Sequence, residues 1–326
     1  MDSPKNKIAV ILFQLGGPDS LDSVEPFLFN LFSDPDIINF PGAFLARNFI
    51  ARQTSSSRSK KVRENYRAIG GRSPILALTR AQATALTQSL NKQTNAEVFV
   101  AMRYWHPNTE EVILKIKHDM FSKIILLPLY PQYSKATTLS SIKEWKKQCA
   151  LLNYNPVQLE TIESFYNHPL YINAITNHIN TALAGFTNIE PTDIDLLFSA
   201  HSIPESYVKK GDPYRDHILK TVKLAVQKGK WNSPHTVCYQ SKVGPIKWLG
   251  PSLLDTITEL TAKGRKHFLV IPISFVTDHI ETLHEIGIEM RKYAMENGAS
   301  KFEIMPALNN DIDFIECLTA LVLEQI

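Results

Sequence analysis

Three ionisable side chains in the second half of the chain follow apolar runs of strand length. His201 comes directly after the run 194–200, and His279 and Glu281 come shortly after the run 267–275. A neutral imidazole, with an ordinary pKa of about 6.5, can accept a proton near neutral pH, and a neighbouring carboxylate can assist it. A single histidine at a strand end is more often a capping or packing residue. Three ionisable groups at strand ends of one domain instead favour a site that transfers protons.

A set of aromatic residues accompanies these groups and suits a large, flat, apolar ligand that carries a few acids. The set consists of Tyr66, Tyr104, Trp105, Tyr130, Tyr133, Trp248 and Phe275. Downstream of Glu281, a helical pattern places Glu285 and Glu289 four and eight residues on, as a carboxylate ridge on one helix face. The ridge is either a solvated face, which we favour for Glu289, or a route for cations or protons.

Several common kinds of site are absent from the sequence. It has no GxSxG, HExxH or Walker A motif, which argues against serine hydrolases, zincins and P-loop proteins. The pair Gly16-Gly17 lacks the third glycine and the downstream acid of a dinucleotide fingerprint, so we expect a plain strand-to-helix turn there. Cys149, Cys238 and Cys317 form no CxxC pair. We therefore expect no disulfide framework, no zinc site of four cysteines, and a reducing compartment.

The charge of the chain is concentrated in one segment. Between Arg47 and Arg72 lie eight basic residues and one acid, a net +7, although the whole chain carries only +3. A total this small argues against a nucleic-acid-binding protein, whereas the local patch can attract carboxylates or anionic lipid headgroups.

The helices and strands that position the candidate residues are predicted to form parallel α/β units. Apolar runs of strand length alternate with helical patterns along all 326 residues, which is typical of parallel sheets covered on both faces. Asp212-Pro213 predicts an N-cap and first helical residue, with the helix running to about Lys228. Strands are predicted at 8–15, 97–102, 123–129, 194–200, 235–239, 267–275 and 302–306. We predict two Rossmann-like, doubly wound domains with a cleft between them and a boundary near residue 160.

No apolar run approaches the roughly 20 residues that a membrane-spanning helix needs. The segment 40–53 differs from the rest because Phe40, Phe44, Leu45, Phe49 and Ile50 alternate with arginines at roughly helical spacing. This pattern fits an amphipathic helix packed on its own domain, or an interfacial helix. The adjoining basic residues favour a surface that touches lipid or an apolar substrate.

Seven ordered sequence blocks are spread over nearly the whole chain. The blocks are LGGPDS at 15–20, Tyr66 with IGGRSP at 69–74, MRYWHP at 102–107, LYPQYS at 129–134, SAHSIPESYVKKGDPY at 199–214, YQSKVGPIKWLGPS at 239–252 and SFVTDHIETLHEIGIE at 274–289. Together they closely resemble the ferrochelatase family, whose members insert ferrous iron into a porphyrin in haem synthesis. Arg72 stands where glycine is more usual.

The resemblance implies a chelatase-type fold and a set of site residues. It implies a first domain of residues 1–160 on which a C-terminal helix, 307–326, packs back, and a second domain of residues 161–306. It assigns catalysis to His201, His279 and Glu281, and contact with the metal to His201, Glu281 and also Glu285. Residues matching those that line the porphyrin cleft in relatives are Leu15, Arg58, Tyr66, Ser73, Arg103, Tyr130, Trp248, Phe275 and Asp278.

The implied reaction is insertion of Fe²⁺ into protoporphyrin IX with release of two protons, the last step of haem synthesis. A cleft that bends the ring exposes its nitrogen lone pairs, at a distortion of ~1 to 5 kcal/mol drawn from remote contacts. His201 is suited to accept a pyrrole proton, and Arg58 or other basic residues of its segment to pair with propionates. The face of the ring through which the metal enters stays open.

Substrate, cofactor and location follow from the same resemblance. Leu15 favours protoporphyrin IX, because relatives that use coproporphyrin III tend to carry tyrosine there. We expect iron as substrate, no tightly bound cofactor and, without a C-terminal cysteine cluster, no iron–sulfur cluster. We expect a cytoplasmic protein that touches the membrane surface through residues 40–53. A coproporphyrin III ferrochelatase, a cobalt or nickel chelatase and a non-enzymatic tetrapyrrole carrier are the alternatives, and the joint presence of His201, His279 and Glu281 argues against the carrier.

Overall fold

A computed structural model describes residues 7–35, 43–242 and 246–326, with backbone only for 43–45. The chain forms two compact units. The N-terminal unit comprises Met1–Tyr130, Ser134–Ser164 and Ile315–Ile326, and the C-terminal unit comprises Pro131–Tyr133 and Phe165–Phe314.

The N-terminal unit is built on a parallel sheet whose strands are short, apolar and buried. Its strands are β1 (Ile8–Gln14), β2 (Ala96–Met102), β3 (Lys123–Pro128) and β4 (Leu159–Thr161). They pair in the order β2-β1-β3-β4. Every residue of β1 is buried, which explains why its sequence is continuously apolar rather than alternating. The helices are α1 (Val24–Ser33), α2 (Ala43–Ala68), α3 (Ile75–Leu90), α4 (Thr109–Ile116) and α5 (Ser140–Leu151), with a π-helical turn at Lys135–Leu139 before α5.

Large side chains from the sheet and its helices fill the core of this unit. Phe13 of β1 meets Trp145 of α5 edge-on at 6.0 Å between ring centroids, and both side chains are fully buried. Phe99 and Phe121 make a second edge-to-face pair at 5.8 Å. Burial of each such ring contributes about 1.5 to 3 kcal/mol, which holds the carboxyl ends of the strands in fixed positions.

The C-terminal unit repeats this sheet topology. Its strands are β5 (Ile194–His201), β6 (His235–Gln240), β7 (His267–Pro272) and β8 (Lys301–Ile304). They are parallel and pair in the order β6-β5-β7-β8. The helices are α6 (Pro169–Leu183), α7 (Glu205–Lys209), α8 (Tyr214–Gly229), α9 (Leu253–Ala262), a π-helix (Glu281–Met290) and α10 (Arg291–Glu296), with a 3₁₀ turn at Pro191–Asp193. The last helix, α11 (Ile312–Leu323), belongs to the N-terminal unit from Ile315 onward.

The predicted α/β class and the two parallel sheets are confirmed, and the seven predicted strands are present with small shifts at their ends. The strand predicted to reach residue 275 ends at Pro272. The short strand β4 was missed, because it has only three residues, two of them polar, and is largely exposed at the sheet edge.

Three helix predictions need correction. The helix predicted to start after an Asp212 N-cap begins at Tyr214 with Pro213 as N-cap, although Asp212 Oδ1 does accept the Tyr214 N–H at 3.0 Å. Of the segment predicted at 40–53, residues 43–53 belong to α2, which continues to Ala68. Residues 40–42, including Phe40, and the side chains of Phe44 and Leu45 lie outside what the structure describes. The carboxylate ridge lies on a π-helix rather than an α-helix.

Within the described ranges, no helix is both long and apolar enough to cross a membrane.

Candidate active site

His201 is the last residue of β5, and its imidazole forms an ion pair with Glu281. His201 Nδ1 lies 2.7 Å from Glu281 Oε2. The backbone around His201 is held on both sides, because its N–H donates to Ser274 Oγ at 3.0 Å and its carbonyl accepts from Tyr214 Oη at 3.0 Å. With 38% of its side chain exposed, the ring is still open to a ligand. Since the ion pair uses Nδ1, Nε2 is the nitrogen left for chemistry.

The two partners shift each other's pKa. Burial alone would lower the pKa of His201, but the charge and hydrogen bond of Glu281, with a contribution from Glu285, raise it above its ordinary value. Burial alone would raise the pKa of Glu281, but His201 outweighs it and holds this pKa well below its usual range. The shift makes His201 a stronger base, although it also lowers the neutral fraction near neutral pH.

His279 lies beside this pair and is itself buried. Its Nδ1 donates to the Thr277 carbonyl at 3.1 Å, which directs Nε2 towards Glu281 Oε1 at 3.8 Å. The Phe275 ring stands edge-on to both imidazoles, 4.5 Å from His279 and 6.2 Å from His201 between centroids. The three predicted catalytic residues and the aromatic residue Phe275 therefore form one cluster at the carboxyl edge of the sheet.

Ser241 and Glu285 extend the cluster, and sequence reasoning did not find the part played by Ser241. Glu285 Oε1 accepts the Ser241 N–H at 2.9 Å, and Glu285 Oε2 accepts Ser241 Oγ–H at 2.5 Å. Ser241 Oγ also lies 3.1 Å from Glu281 Oε2. Burial and the charge of Glu281 raise the pKa of Glu285, against the two hydrogen bonds from Ser241. The signal in the sequence was the position of Ser241 directly after β6.

Glu289 does not join this group. Its carboxylate lies 3.8 Å from His284 Nδ1 and is 42% exposed. The predicted ridge of three carboxylates is therefore reduced to the pair Glu281 and Glu285.

Two further predicted substrate residues belong to the C-terminal unit. Trp248 is half-buried and pairs with Pro204 as an isolated β-bridge. Asp278 is tied into the loop after β7, where its Oδ1 accepts Thr282 Oγ1–H at 2.9 Å and its Oδ2 accepts Asn309 Nδ2–H at 2.8 Å. Through these bonds, the Asp278 carboxylate fixes the start of the π-helix.

The N-terminal unit contains the other predicted substrate residues, beginning with the turn after β1. Leu15 is partly buried, and its carbonyl accepts the Tyr104 N–H at 3.0 Å. Gly17 passes so close to Ser73 that a Cβ added to Gly17 would lie 2.6 Å from Ser73 Cβ. Gly16 has a φ of +89°, in the left-handed region that glycine adopts readily. The pair is thus a strand-to-helix turn that seats Ser73.

Helix α2 carries Arg58 and Tyr66 in different environments. Arg58 is exposed, with its guanidinium 5.6 Å from the centre of the Phe32 ring. Tyr66 is buried, and its backbone carbonyl accepts the N–H of Gly71 at 2.8 Å. Of these two side chains, Arg58 is the one that can reach a charged group in solution.

Arg103 is bound internally rather than free. Its Nη2 donates to Asp34 Oδ2 at 2.6 Å, and its Nε donates to Ser140 Oγ at 3.0 Å. The Tyr104 hydroxyl donates to the same Asp34 oxygen at 2.7 Å. Burial, with the charge of Asp34, raises the pKa of Tyr104 well above its usual value. The three residues line a cavity of about 630 Å³ between α1, the loop after β2 and α5.

Tyr130 follows β3 at the same edge of the N-terminal sheet. Burial raises the pKa of its hydroxyl far above the ordinary value, against the nearby positive charge of Arg103. The phenol therefore stays protonated and can act only as a neutral hydrogen-bonding group or ring surface.

A sequence model of the Ferrochelatase family matches residues 7–326. The chain belongs to the ferrochelatase family. It is 46% identical over 319 residues to a protein named Ferrochelatase from Citrifermentans bemidjiense, covering 97% of this chain and 98% of that protein. It is 43% identical over 326 residues to another of that name from Gloeothece citriformis, covering 98% of this chain and 83% of the relative.

Solved structures with the same fold are chelatases of low sequence identity. CbiX, described as the terminal enzyme of siroheme biosynthesis in denitrifying bacteria, has a TM-score of 0.53 at 12% identity and covers 98% of this chain and 100% of its own. SirB from Bacillus subtilis with Fe³⁺ has a TM-score of 0.55 at 9% identity and covers 98% of this chain and 95% of its own. This likeness confirms the chelatase-type fold expected for a ferrochelatase-family chain.

In the described part of this ferrochelatase-family chain, no group of three or more histidine, cysteine or acidic side chains is arranged as a ready metal site. The predicted metal contacts His201 and Glu281 are instead bonded to each other. Imidazole and carboxylate are both suitable donors for Fe²⁺. The contacts of His201, Glu281 and Glu285 with metal, and the substrate contacts of the other predicted residues, stay predictions.

Proposed function

We propose that this chain is a ferrochelatase that inserts Fe²⁺ into protoporphyrin IX and releases two protons. The observation that carries the proposal is the His201–Glu281 ion pair at the carboxyl end of β5, with the partly exposed imidazole presenting Nε2. It is a base with a stabilising counter-charge, beside an aromatic ring. Membership of the ferrochelatase family and the identity to proteins of that name support the same reaction.

The reaction releases two protons, and the His201–Glu281 ion pair is placed to accept them. A free-base porphyrin carries two N–H protons, and both must leave as Fe²⁺ takes the four ring nitrogens, so the metallated ring core carries no net charge. Neutral His201 accepts one pyrrole proton at Nε2, while Nδ1–H remains bonded to Glu281. The Glu281 carboxylate then stabilises the imidazolium, and this electrostatic assistance lowers the barrier to deprotonation.

Glu281 and Glu285 have two proposed roles, to hold the incoming Fe²⁺ and to carry protons away from His201. Fe²⁺ binds carboxylate and imidazole ligands without strong retention, so Glu281 and Glu285 can hold the incoming ion and give it up to the ring. Glu285 then receives the first proton from His201 through Glu281, which returns His201 to its neutral form so that it can accept the second pyrrole proton. His279, whose Nε2 points at Glu281 Oε1, keeps the Glu281 carboxylate in place.

Aromatic contact with the porphyrin is the proposed role of Phe275 and Trp248. A planar porphyrin shields its nitrogen lone pairs, so a rigid aromatic surface that imposes a bend makes them accessible. Phe275 is held by edge contacts with both histidines and so presents a fixed surface beside the base. We propose that Leu15 leaves room for an apolar substituent and favours protoporphyrin IX over coproporphyrin III.

The decisive experiment is an anaerobic insertion assay that offers Fe²⁺ with either protoporphyrin IX or coproporphyrin III. The proposal expects haem formation with protoporphyrin IX, and loss of insertion but not of porphyrin binding in His201→Ala. A preference for coproporphyrin III would make the chain a coproporphyrin ferrochelatase. Porphyrin binding without metallation of either ring would favour the carrier, and substantial turnover by His201→Ala would remove the assigned role of His201.

The proposal extends to location and cofactors. We propose a cytoplasmic enzyme that touches an anionic membrane surface through α2 and residues before it, without a tightly bound cofactor or an iron–sulfur cluster. Support comes from Phe49, which is 67% exposed, and from the exposed basic residues that follow it. These are Arg52, Arg58, Lys60, Lys61 and Arg67. Co-sedimentation with vesicles of anionic lipid, and its reduction in Phe49→Ser, tests the membrane contact; equal sedimentation with neutral vesicles would contradict it.

A further inference from the structure

Ser241 connects the two partly buried carboxylates of the site. Glu281 and Glu285 lie four residues apart on the π-helix, and their negative charges repel each other. Ser241 enters from the end of β6 and offers one N–H and one O–H to this pair. Both groups are directed at Glu285, and the same hydroxyl lies within 3.1 Å of Glu281 Oε2. Ser241 therefore binds Glu285 through two hydrogen bonds and also contacts Glu281.

The direction of the bonds follows from their chemistry. An ionised carboxylate only accepts, and a serine hydroxyl has one proton to donate. Glu281 Oε2 already accepts from His201 Nδ1 at 2.7 Å, whereas Glu285 Oε2 lies 2.5 Å from Ser241 Oγ. The hydroxyl proton consequently belongs to Glu285. With the backbone N–H on Oε1, both oxygens of Glu285 are fixed and its carboxylate cannot rotate away from Glu281.

The backbone conformation of Ser241 allows both hydrogen bonds to Glu285. Its φ is +65°, in the left-handed region that non-glycine residues seldom adopt. Such a conformation persists only where the surroundings determine it, and it commonly marks functional sites. Here it directs the N–H and the side chain of one residue at the same carboxylate.

We propose that Ser241 is a positioning residue that holds Glu285 against Glu281 so that the two carboxylates receive the incoming iron together. The inference rests on the proposed function and names a residue to which no role in metal delivery was assigned from the sequence. Ser241 acts through Glu285 rather than on the porphyrin. Substitution of Ser241 is therefore expected to weaken Fe²⁺ binding and to leave porphyrin binding unchanged.

Three substitutions at Ser241 separate the hydroxyl from the backbone. Ser241→Ala removes Oγ, Ser241→Thr keeps a hydroxyl, and Ser241→Gly removes Oγ while relieving the left-handed φ. We expect Ser241→Ala and Ser241→Gly to raise the KM for Fe²⁺ about 5- to 20-fold, with the KM for porphyrin within about 2-fold of the original. Ser241→Thr keeps the hydroxyl but places a β-branched side chain at a left-handed φ, so it should restore only part of the iron affinity.

A matched serine elsewhere in the unit controls for stability. Ser252 Oγ accepts the Asp255 N–H at 3.0 Å at the start of α9. Ser252→Ala should lower the denaturant midpoint through loss of an N-cap without changing the KM for Fe²⁺. A shift in iron KM of equal size in Ser252→Ala would reduce the Ser241 effect to one of stability.

A double-mutant cycle with Glu285→Gln decides whether Ser241 acts through Glu285. Anaerobic calorimetry measures the Kd for Fe²⁺ in the protein without porphyrin, so the readout does not depend on turnover. We expect Ser241→Ala to weaken iron binding in the original protein and to add less than about 2-fold in the Glu285→Gln background. Equal effects in both backgrounds, a rise in porphyrin KM, or no iron binding by the original protein would overturn the proposal. Iron binding with this coupling but without haem formation would instead overturn the proposed function alone.

Discussion

The Asp34 carboxylate accepts a hydrogen bond from the Arg103 guanidinium at 2.6 Å, with only 1% of the Asp34 side chain exposed. The same oxygen accepts the Tyr104 hydroxyl at 2.7 Å and Ser140 Oγ–H at 3.2 Å. One aspartate at the end of α1 therefore fixes the loop after β2 and the start of α5. The position of Arg103, a residue predicted to bind substrate, depends on Asp34.

Asp34→Ala leaves three buried donors without their acceptor. Removal of one partner from a buried ion pair typically costs about 3 to 5 kcal/mol, so we expect a loss of that order in the free energy of unfolding, measured in urea. Glu25→Gln is the control, because the Arg63–Glu25 pair at 3.4 Å is far more exposed than Asp34 and is expected to contribute only about 1 kcal/mol. Equal losses in the two variants would show that Asp34 does not hold this region together.

Gly17→Ala tests the close approach of the first turn to Ser73. The added Cβ would lie 2.6 Å from both Cβ and Oγ of Ser73, so the backbone of one of them must move. We expect a loss of about 1 to 3 kcal/mol in the free energy of unfolding. The double variant Gly17→Ala with Ser73→Gly removes the obstructing atoms and should recover most of that loss. Absence of recovery would place the cost of Gly17→Ala elsewhere.

The sheets could be predicted from the sequence because their strands are buried on both faces. In β1, β3 and β7 this burial requires a continuous apolar run, and the run marks the strand. Strand β4 pairs only with β3 through three residues at the edge and carries no such run. The π-helix was missed because its ten residues fit an α-helical pattern equally well, and only the backbone hydrogen bonds distinguish the two.

The site was predictable only in part, for a related reason. His201, His279 and Glu281 were found because residues at the carboxyl ends of parallel strands converge. The contacts of Asp34 with Arg103 and of Ser241 with Glu285 join residues 69 and 44 positions apart. Neither Asp34 nor Ser241 is an unusual residue type at its place in the sequence, so their partners became evident only once the fold had brought them together.

Cys149, which is partly buried, and Cys238, which is buried, are expected to resist alkylation in the folded protein. Burial raises the pKa of Cys149 to about 11 and that of Cys238 to about 12. Since the thiolate is the nucleophile, iodoacetamide at pH 8 should modify Cys149 slowly and Cys238 only after unfolding in urea. Mass spectrometry of peptides from folded and unfolded samples measures both. Rapid modification of Cys238 without denaturant would show that β6 opens readily.

His217 provides a pH dependence of stability. Its Nδ1 accepts the Tyr133 N–H at 3.2 Å, and its ring stacks on Tyr166 at 3.7 Å. Burial lowers the pKa of His217 below its ordinary value, against the charges of Asp212 and Asp216. The unfolded chain therefore binds the proton more tightly, so this contribution is full above the unfolded pKa of about 6.5 and is lost as pH falls through the folded value.

Urea midpoints measured between about pH 5 and pH 8 test this sign. The original protein should lose more stability on acidification than His217→Gln, which cannot be protonated. His267→Gln is a suitable control, because that histidine lies at the start of β7, where its Nδ1 is 3.3 Å from the Asp193 carbonyl. A steeper loss in His217→Gln than in the original protein would contradict the assigned direction of the pKa shift.

Glu281→Gln removes the negative charge beside His201 while keeping a side chain of the same size in that place. Glutamine keeps the size of the side chain but cannot stabilise an imidazolium, so we expect kcat for iron insertion to fall about 100- to 1000-fold, with the KM for porphyrin nearly unchanged. Glu289→Gln, on the same π-helix but half-exposed and 3.8 Å from His284, should retain nearly full activity. A rise in porphyrin KM at unchanged kcat would assign Glu281 to substrate binding, because an interaction made only with the developing imidazolium acts on kcat.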